Sequence, residues 1–144
     1  MMAAATSRGC DLRHTFSVRV YYEDTDFSGA VYHANYLRFM ERARTELLRS
    51  LGVEQGAILA GAPGDAFGFV VRSISIDFLQ PARMDDLLTI ETDPHEIGAA
   101  SFELTQRVLR GEDLLAAARV RVACVIAGRA GRIPRPVRDK LLAG

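Results

Sequence analysis

The hydrophobic period of this chain switches once from two to the helical value and then switches back, and that single change constrains the fold most. From Phe16 to Glu23 apolar and polar residues alternate, with Phe16, Val18, Val20 and Tyr22 on one face. That is the pattern of a half-buried strand. The turn formers of Asp24-Thr25-Asp26-Phe27-Ser28-Gly29 end it. From about Asn35 the spacing is three and four: Leu37, Met40, Ala43, Leu47 and Leu51 recur, with Tyr36, Arg44 and Leu48 beside them. This predicts one amphipathic helix, ended by Gly52. Asn35 is the expected N-cap, because its side-chain oxygen can accept a bond from a free N–H of the first turn. Arg42 and Glu46 are spaced to pair on the solvated face.

Five glycines and Pro63 between 52 and 68 predict a long loop, with one short helical turn around Gln55 to Leu59. The period of two then returns. Ile74, Ile76 and Phe78 alternate with Ser73, Ser75 and Asp77, and Pro81 closes that strand. Further strands are expected at 87–93, 100–109 and 114–127, with a last helical turn from Val137 to Leu142. The connections between the later strands are too short for parallel crossovers, so these strands form an antiparallel meander. A lone helix must bury its apolar stripe on something, and that sheet is the only candidate. The expected class is α+β, with the helix on one sheet face. Residues 1–14 read as a flexible leader and 15–144 as a single domain.

Composition narrows the function. A chain of 144 residues with 18 basic and 18 acidic side chains carries no net charge, so the electrostatic footprint of a nucleic-acid binder is missing. The longest stretch free of Asp, Glu, Lys and Arg is Phe27 to Leu37, well short of the roughly 20 residues of a spanning helix. The start has no apolar core of a signal peptide. Cys10 and Cys124 are too few for a disulfide framework and are expected as reduced thiols in a cytoplasmic protein.

The side chains able to do chemistry concentrate between Tyr21 and Glu46. Asp24, Asp26, Gly29, His33, Asn35 and Tyr36 fall at the strand-to-helix junction. Free N–H groups at a helix N-terminus carry partial positive charge. With a carboxylate beside them they suit attack on a carbonyl: the N–H groups hold the developing oxyanion, and the carboxylate attacks or activates water. The same residue types also make an ordinary turn, and residue types alone leave both readings open. A metal site from Asp24, Asp26 and His33 is the weaker alternative, since no other histidine lies close by.

The run from Tyr21 to Leu37, YYEDTDFSGAVYHANYL, continues through Phe39, Glu41-Arg42-Ala43-Arg44 and Glu46. It closely resembles the Tol-Pal system-associated acyl-CoA thioesterases, a branch of the 4-hydroxybenzoyl-CoA thioesterase group with the hot-dog fold. The resemblance extends over Phe69 to Arg72 and Gln80 to Asp86, and covers about residues 16 to 128. It implies one long helix wrapped by a five- or six-stranded antiparallel sheet. It also implies hydrolysis of an acyl-CoA thioester to free acid and coenzyme A, without metal or organic cofactor. The family's catalytic aspartate falls on Asp26, acting as nucleophile or as general base. Its histidine falls on His33, and a pocket-lining tyrosine on Tyr22. Asp24 and Asn35 are assigned to orienting the turn and capping the helix. Hot-dog relatives assemble as homodimers or homotetramers with sites at the subunit interface, and their substrates ride on coenzyme A or an acyl carrier protein. The alternatives are a hot-dog enoyl-thioester hydratase and a non-catalytic module that binds an acyl carrier or envelope partner. The loop from Gly52 to Gly68 looks longer than in typical members. The arginines at 129, 132, 135 and 138 fit either phosphate binding or a solvated tail.

Overall fold

The computed structural model describes residues 14–53 and 67–143. The expected leader lies outside these except for His14, which opens the first strand, and the helical turn expected at 55–59 lies outside them altogether. The chain runs β1 (His14–Arg19), a 3₁₀ turn (Tyr22–Asp24), α1 (His33–Ser50), β2 (Phe67–Phe78), β3 (Leu87–His95), β4 (Ser101–Arg110), β5 (Asp113–Ile126), β6 (Arg129–Ala130) and α2 (Arg135–Ala143). The strands form one antiparallel sheet in the order β1-β3-β4-β5-β2, with β6 paired to β5. This is the expected α+β architecture, with six strands.

The helix stripe is rotated from the expected one. Tyr36, Phe39, Met40, Ala43 and Leu47 face the core, whereas Leu37 is 40% exposed. α1 lies across β1 and β3, and its Phe39, Met40 and Leu47 share one core with Leu88, Ile90, Phe102 and Leu104. Each such side chain contributes about 1.5–3 kcal/mol by leaving water. Gly52 ends the helix as expected. Its φ of +88° lets Gly52 N–H reach Arg49 O at 3.0 Å and Val53 N–H reach Leu48 O at 2.9 Å, a Schellman closure that only glycine makes without strain. On the solvated face Glu46 pairs with Arg49 at 3.5 Å, rather than with Arg42, whose guanidinium sits over the Phe39 ring.

Three further boundaries differ, each for a local reason. β1 stops at Arg19 rather than Glu23, and Tyr22, expected on its buried face, is 78% exposed. The Asp24 carboxylate accepts the Tyr21 N–H at 2.8 Å while Asp24 N–H reaches Tyr21 O at 3.0 Å, and this pulls the chain into the 3₁₀ turn. β2 begins at Phe67, before the expected start, because Arg72 is an extra residue: Val71 pairs with Val122 and Ser73 with Arg121. A bulge shifts the face alternation by one step and hides the strand's first half from a period-two reading. The tail helix begins at Arg135, with Pro136 in its first turn, where the missing N–H costs nothing. It docks through buried Val137 and Leu141, and Lys140 Nζ donates to Leu51 O at the end of α1.

Candidate active site

The segment from Asp24 to Val31 is a small closed loop. Thr25 and Val31 bridge its base, and Ala30 bridges Arg83 on the neighbouring connection. Inside it Asp26 N–H donates to Ala30 O at 2.9 Å, and Gly29 N–H donates to Asp26 O at 3.0 Å. Gly29 sits at φ +87°, where a side chain would be strained. The loop is pinned to the body by Val31 N–H on Ala82 O and by the Ala82 N–H on the Tyr36 hydroxyl at 3.0 Å. Burial raises the pKa of that phenol above its ordinary value, so Tyr36 stays a neutral acceptor.

Asp26 stands on this loop with its carboxylate open to solvent. One oxygen accepts the Ser28 N–H at 2.8 Å and the Ser28 hydroxyl. The hydroxyl, and then the N–H, hold the Asp26 carboxyl below the usual carboxylate value. Asp26 is therefore ionised at neutral pH, with its second oxygen uncommitted among the described residues. Ser28 is the site residue that sequence reasoning passed over. The signal was present, because Asp followed two residues later by Ser is the pattern of an Asx turn.

The helix starts three residues before the position that an Asn35 cap implies. Its N-cap is Tyr32, without a side-chain bond, and His33 is its first residue. Asn35 is thus not the cap. It is buried in the first turn, and its Nδ2 donates to Asp24 O at 2.8 Å, beside the Tyr32 N–H on the same oxygen at 3.1 Å. The capping role expected of Asn35 does not hold. Consequently no described residue accepts a bond from the N–H of His33 or Ala34. Two free donors lie at the positive end of α1, immediately after the loop that carries Asp26.

Of the three residues the resemblance names, Asp26 lies on the loop, His33 opens α1 and Tyr22 belongs to the 3₁₀ turn before the loop. The His33 ring packs against Tyr32 at 4.6 Å between centroids and edge-on to Phe78 at 5.9 Å. Tyr22 is exposed, and its carbonyl accepts Thr25 N–H and Oγ1. Among the described residues no hydrogen bond joins the side chains of Asp26, His33 and Tyr22. Phe27, Tyr21 and Tyr32 are also exposed around them, Phe27 completely. No group of three His, Cys, Asp or Glu side chains among the described residues is placed to hold a metal ion.

A sheet wrapped on one long helix, with a carboxylate loop leading into that helix's N-terminus, is the architecture of the hot-dog class. The comparisons agree. The thioesterase superfamily matches residues 28–117, a span that includes His33 and begins two residues after Asp26. The acyl-CoA thioesterase YbgC of Haemophilus influenzae is 45% identical over 126 residues, 88% of this chain and 90% of that protein. The acyl-CoA thioester hydrolase YbgC of Escherichia coli O157:H7 is 47% identical over 109 residues, 75% of this chain and 78% of that one. The probable thioesterase of Bartonella henselae superposes with a TM-score of 0.79 at 44% identity, covering 85% of this chain and 99% of its own. The chain belongs to the thioesterase superfamily and is a thioester hydrolase, and its resemblance to the Tol-Pal-associated branch is borne out.

Proposed function

We propose that this protein hydrolyses acyl-CoA thioesters through Asp26. The observation that carries this reading is the ionised, solvent-facing Asp26 carboxylate on a loop ending at the free N–H groups of His33 and Ala34. A thioester carbonyl between them has its oxygen on those donors, where charge develops as the tetrahedral intermediate forms. Asp26 then attacks the carbonyl carbon or takes a proton from the attacking water. Collapse expels the coenzyme A thiolate; where Asp26 attacked, water then hydrolyses the mixed anhydride formed on it, and on either route the proton given up by the water goes to the thiolate, so that acid and thiol leave. His33 supplies its N–H and, through its ring, a polar wall; Tyr22 lines the mouth. No organic cofactor or metal is needed for these steps.

The working form in this reading is a homodimer or homotetramer in the cytoplasm. β2 ends the sheet with Val70 and Val71 exposed, and the site rim exposes Tyr21, Tyr22, Phe27 and Tyr32. A second copy covering both faces would close the site. Cys124 is buried and free, as suits a reducing compartment, and no described helix is long and apolar enough to cross a membrane. Acyl-CoA is the carrier form proposed; an acyl carrier protein is the other carrier to assay. The test is thiol release from a panel of acyl-CoA esters from acetyl to palmitoyl, with benzoyl included. Thiol release with turnover supports the reading. Binding without release, or hydration of an enoyl ester instead, would overturn it.

A further inference from the structure

Beside α1 lies a groove lined by Arg38, Glu41 and Arg44, and Arg44 makes no ion pair among the described residues. Because α1 packs across β1 and β3, the β2 side of the sheet is less covered. A cavity of about 370 Å³ opens there between Leu37, Arg44 and Leu48 of α1 and Phe69, Val71 and Phe102 of the sheet. Its helix wall lies on the face of α1 that begins at His33. His33, Leu37, Glu41, Arg44 and Leu48 follow one another at spacings of four, four, three and four, which is one continuous helix face. Phe78, whose ring meets that of His33, lies on the same strand as Val71, seven residues further on and outside the cavity lining.

Arg44 is held from beneath. Its Nη1 donates to Gln106 Oε1 at 3.0 Å. Gln106 is fully buried, and its Nε2 donates to Met40 O and Thr92 Oγ1, both at 3.0 Å. Those two acceptors fix the amide so that its oxygen faces Arg44. Guanidinium has five N–H donors, and no other acceptor among the described residues takes one. Glu41, one turn nearer His33, lends a favourable field but is exposed and makes no ion pair with Arg44. Burial pushes the guanidinium pKa down, which marks a charge partly stripped of water.

We propose that this groove receives the acyl group and that Arg44 binds a carboxylate at its far end, making an ω-carboxyacyl thioester the preferred substrate. The proposal rests on the hydrolase reading above. Arg44 lies eleven residues along α1 from His33, about 16 Å of helix rise, so the fitting chain is long and extended rather than acetyl-sized. A guanidinium meets a carboxylate with paired, charge-assisted hydrogen bonds. A site with a desolvated polar group discriminates strongly against the analogue that leaves it unpaired.

The experiment compares thiol release from dodecanoyl-CoA and from the mono-CoA ester of dodecanedioic acid, in the wild type and Arg44→Met. The wild type should favour the ω-carboxy ester by at least about tenfold in kcat/KM. Arg44→Met should abolish that preference, read as the ratio of the two kcat/KM values in the same preparation. Equal kcat/KM in the wild type, or a preference for dodecanoyl-CoA, overturns the proposal and leaves the hydrolase reading intact. Calorimetric binding of the S-dodecyl and S-(11-carboxyundecyl) thioethers of coenzyme A, which cannot be hydrolysed, to the wild type needs neither turnover nor a folded variant. Tighter binding of the carboxy thioether supports the Arg44 assignment, and equal or weaker binding overturns it. Tighter binding of the carboxy thioether with no thiol release from either ester would sink the hydrolase reading alone.

Discussion

Asn35 Nδ2 donates to Asp24 O across 2.8 Å, tying the first turn of the long helix to the loop that carries Asp26. The bond spans eleven residues and is partly buried, so it sets the relation between the carboxylate and the helix N-terminus. Asn35→Ala removes it but leaves the Tyr32 N–H on the same oxygen. The expected cost is about 1 kcal/mol of stability, with a larger proportional fall in kcat than in thiol-ester binding. Denaturant unfolding and steady-state kinetics on the same preparation check both.

Gln106 is the polar centre of the helix–sheet contact. Gln106→Leu strands the Met40 carbonyl, the Thr92 hydroxyl and the Arg44 guanidinium together. Stability should drop by roughly 2–3 kcal/mol, read from the urea midpoint at unchanged m-value. Thr92→Val, which removes only one of the three partners, should cost clearly less.

The pH dependence follows from Ser28. A carboxyl held below its ordinary value stays charged until the pH falls through that lower value, so Asp26 contributes no acid limb above about pH 4. The measurement is kcat/KM from neutrality downward in His33→Gln, which removes the imidazole, over the range where circular dichroism shows the protein folded. A flat profile is expected. Ser28→Ala should move the loss of activity to higher pH, because both the hydroxyl bond and its lowering effect are gone.

Exposed apolar side chains at the site rim and along β2 predict self-association. Sedimentation at micromolar concentration should return a multiple of the 15.8 kDa chain mass. Phe27→Asp, which places a charge on a fully exposed ring position, should weaken the assembly more than it changes the fold.

Much of this was legible in the sequence, and the failures have local causes. Period-two runs located β3, β4 and β5 within one or two residues, since each buries one face and changes face at every step. The lone helix and its glycine end were equally plain. Tyr22 continued the alternation of β1 on paper, yet the Asp24 carboxylate takes the Tyr21 N–H and turns the chain out of the strand. The bulge at Arg72 hid the first half of β2. Asn35 has the chemistry of a cap, yet it sits inside the first turn of α1 and holds Asp24. Asp26, His33 and Tyr22 were named by resemblance; Asp26 lies on the loop, His33 at the start of α1 and Tyr22 in the 3₁₀ turn. Ser28 and Arg44 needed coordinates, because their meaning lies in what faces them.

The central claim is that Asp26 supplies the reacting carboxylate, and Asp26→Asn tests it most directly. The substitution keeps the shape and an acceptor oxygen for Ser28, but removes the nucleophilic and basic oxygen. General-base assistance of this kind is commonly worth 10²–10⁴-fold, so kcat on the best acyl-CoA substrate should fall at least about a hundredfold, with binding retained. The melting temperature should be unchanged or slightly lower, because Ser28 donates better to a charged oxygen. Asp24→Asn should remain active, since the Asp24 carboxylate serves the Tyr21 N–H and not the substrate. Retention of more than about a tenth of wild-type kcat by Asp26→Asn, with Asp24→Asn inactive, would contradict the account and move the chemistry to Asp24.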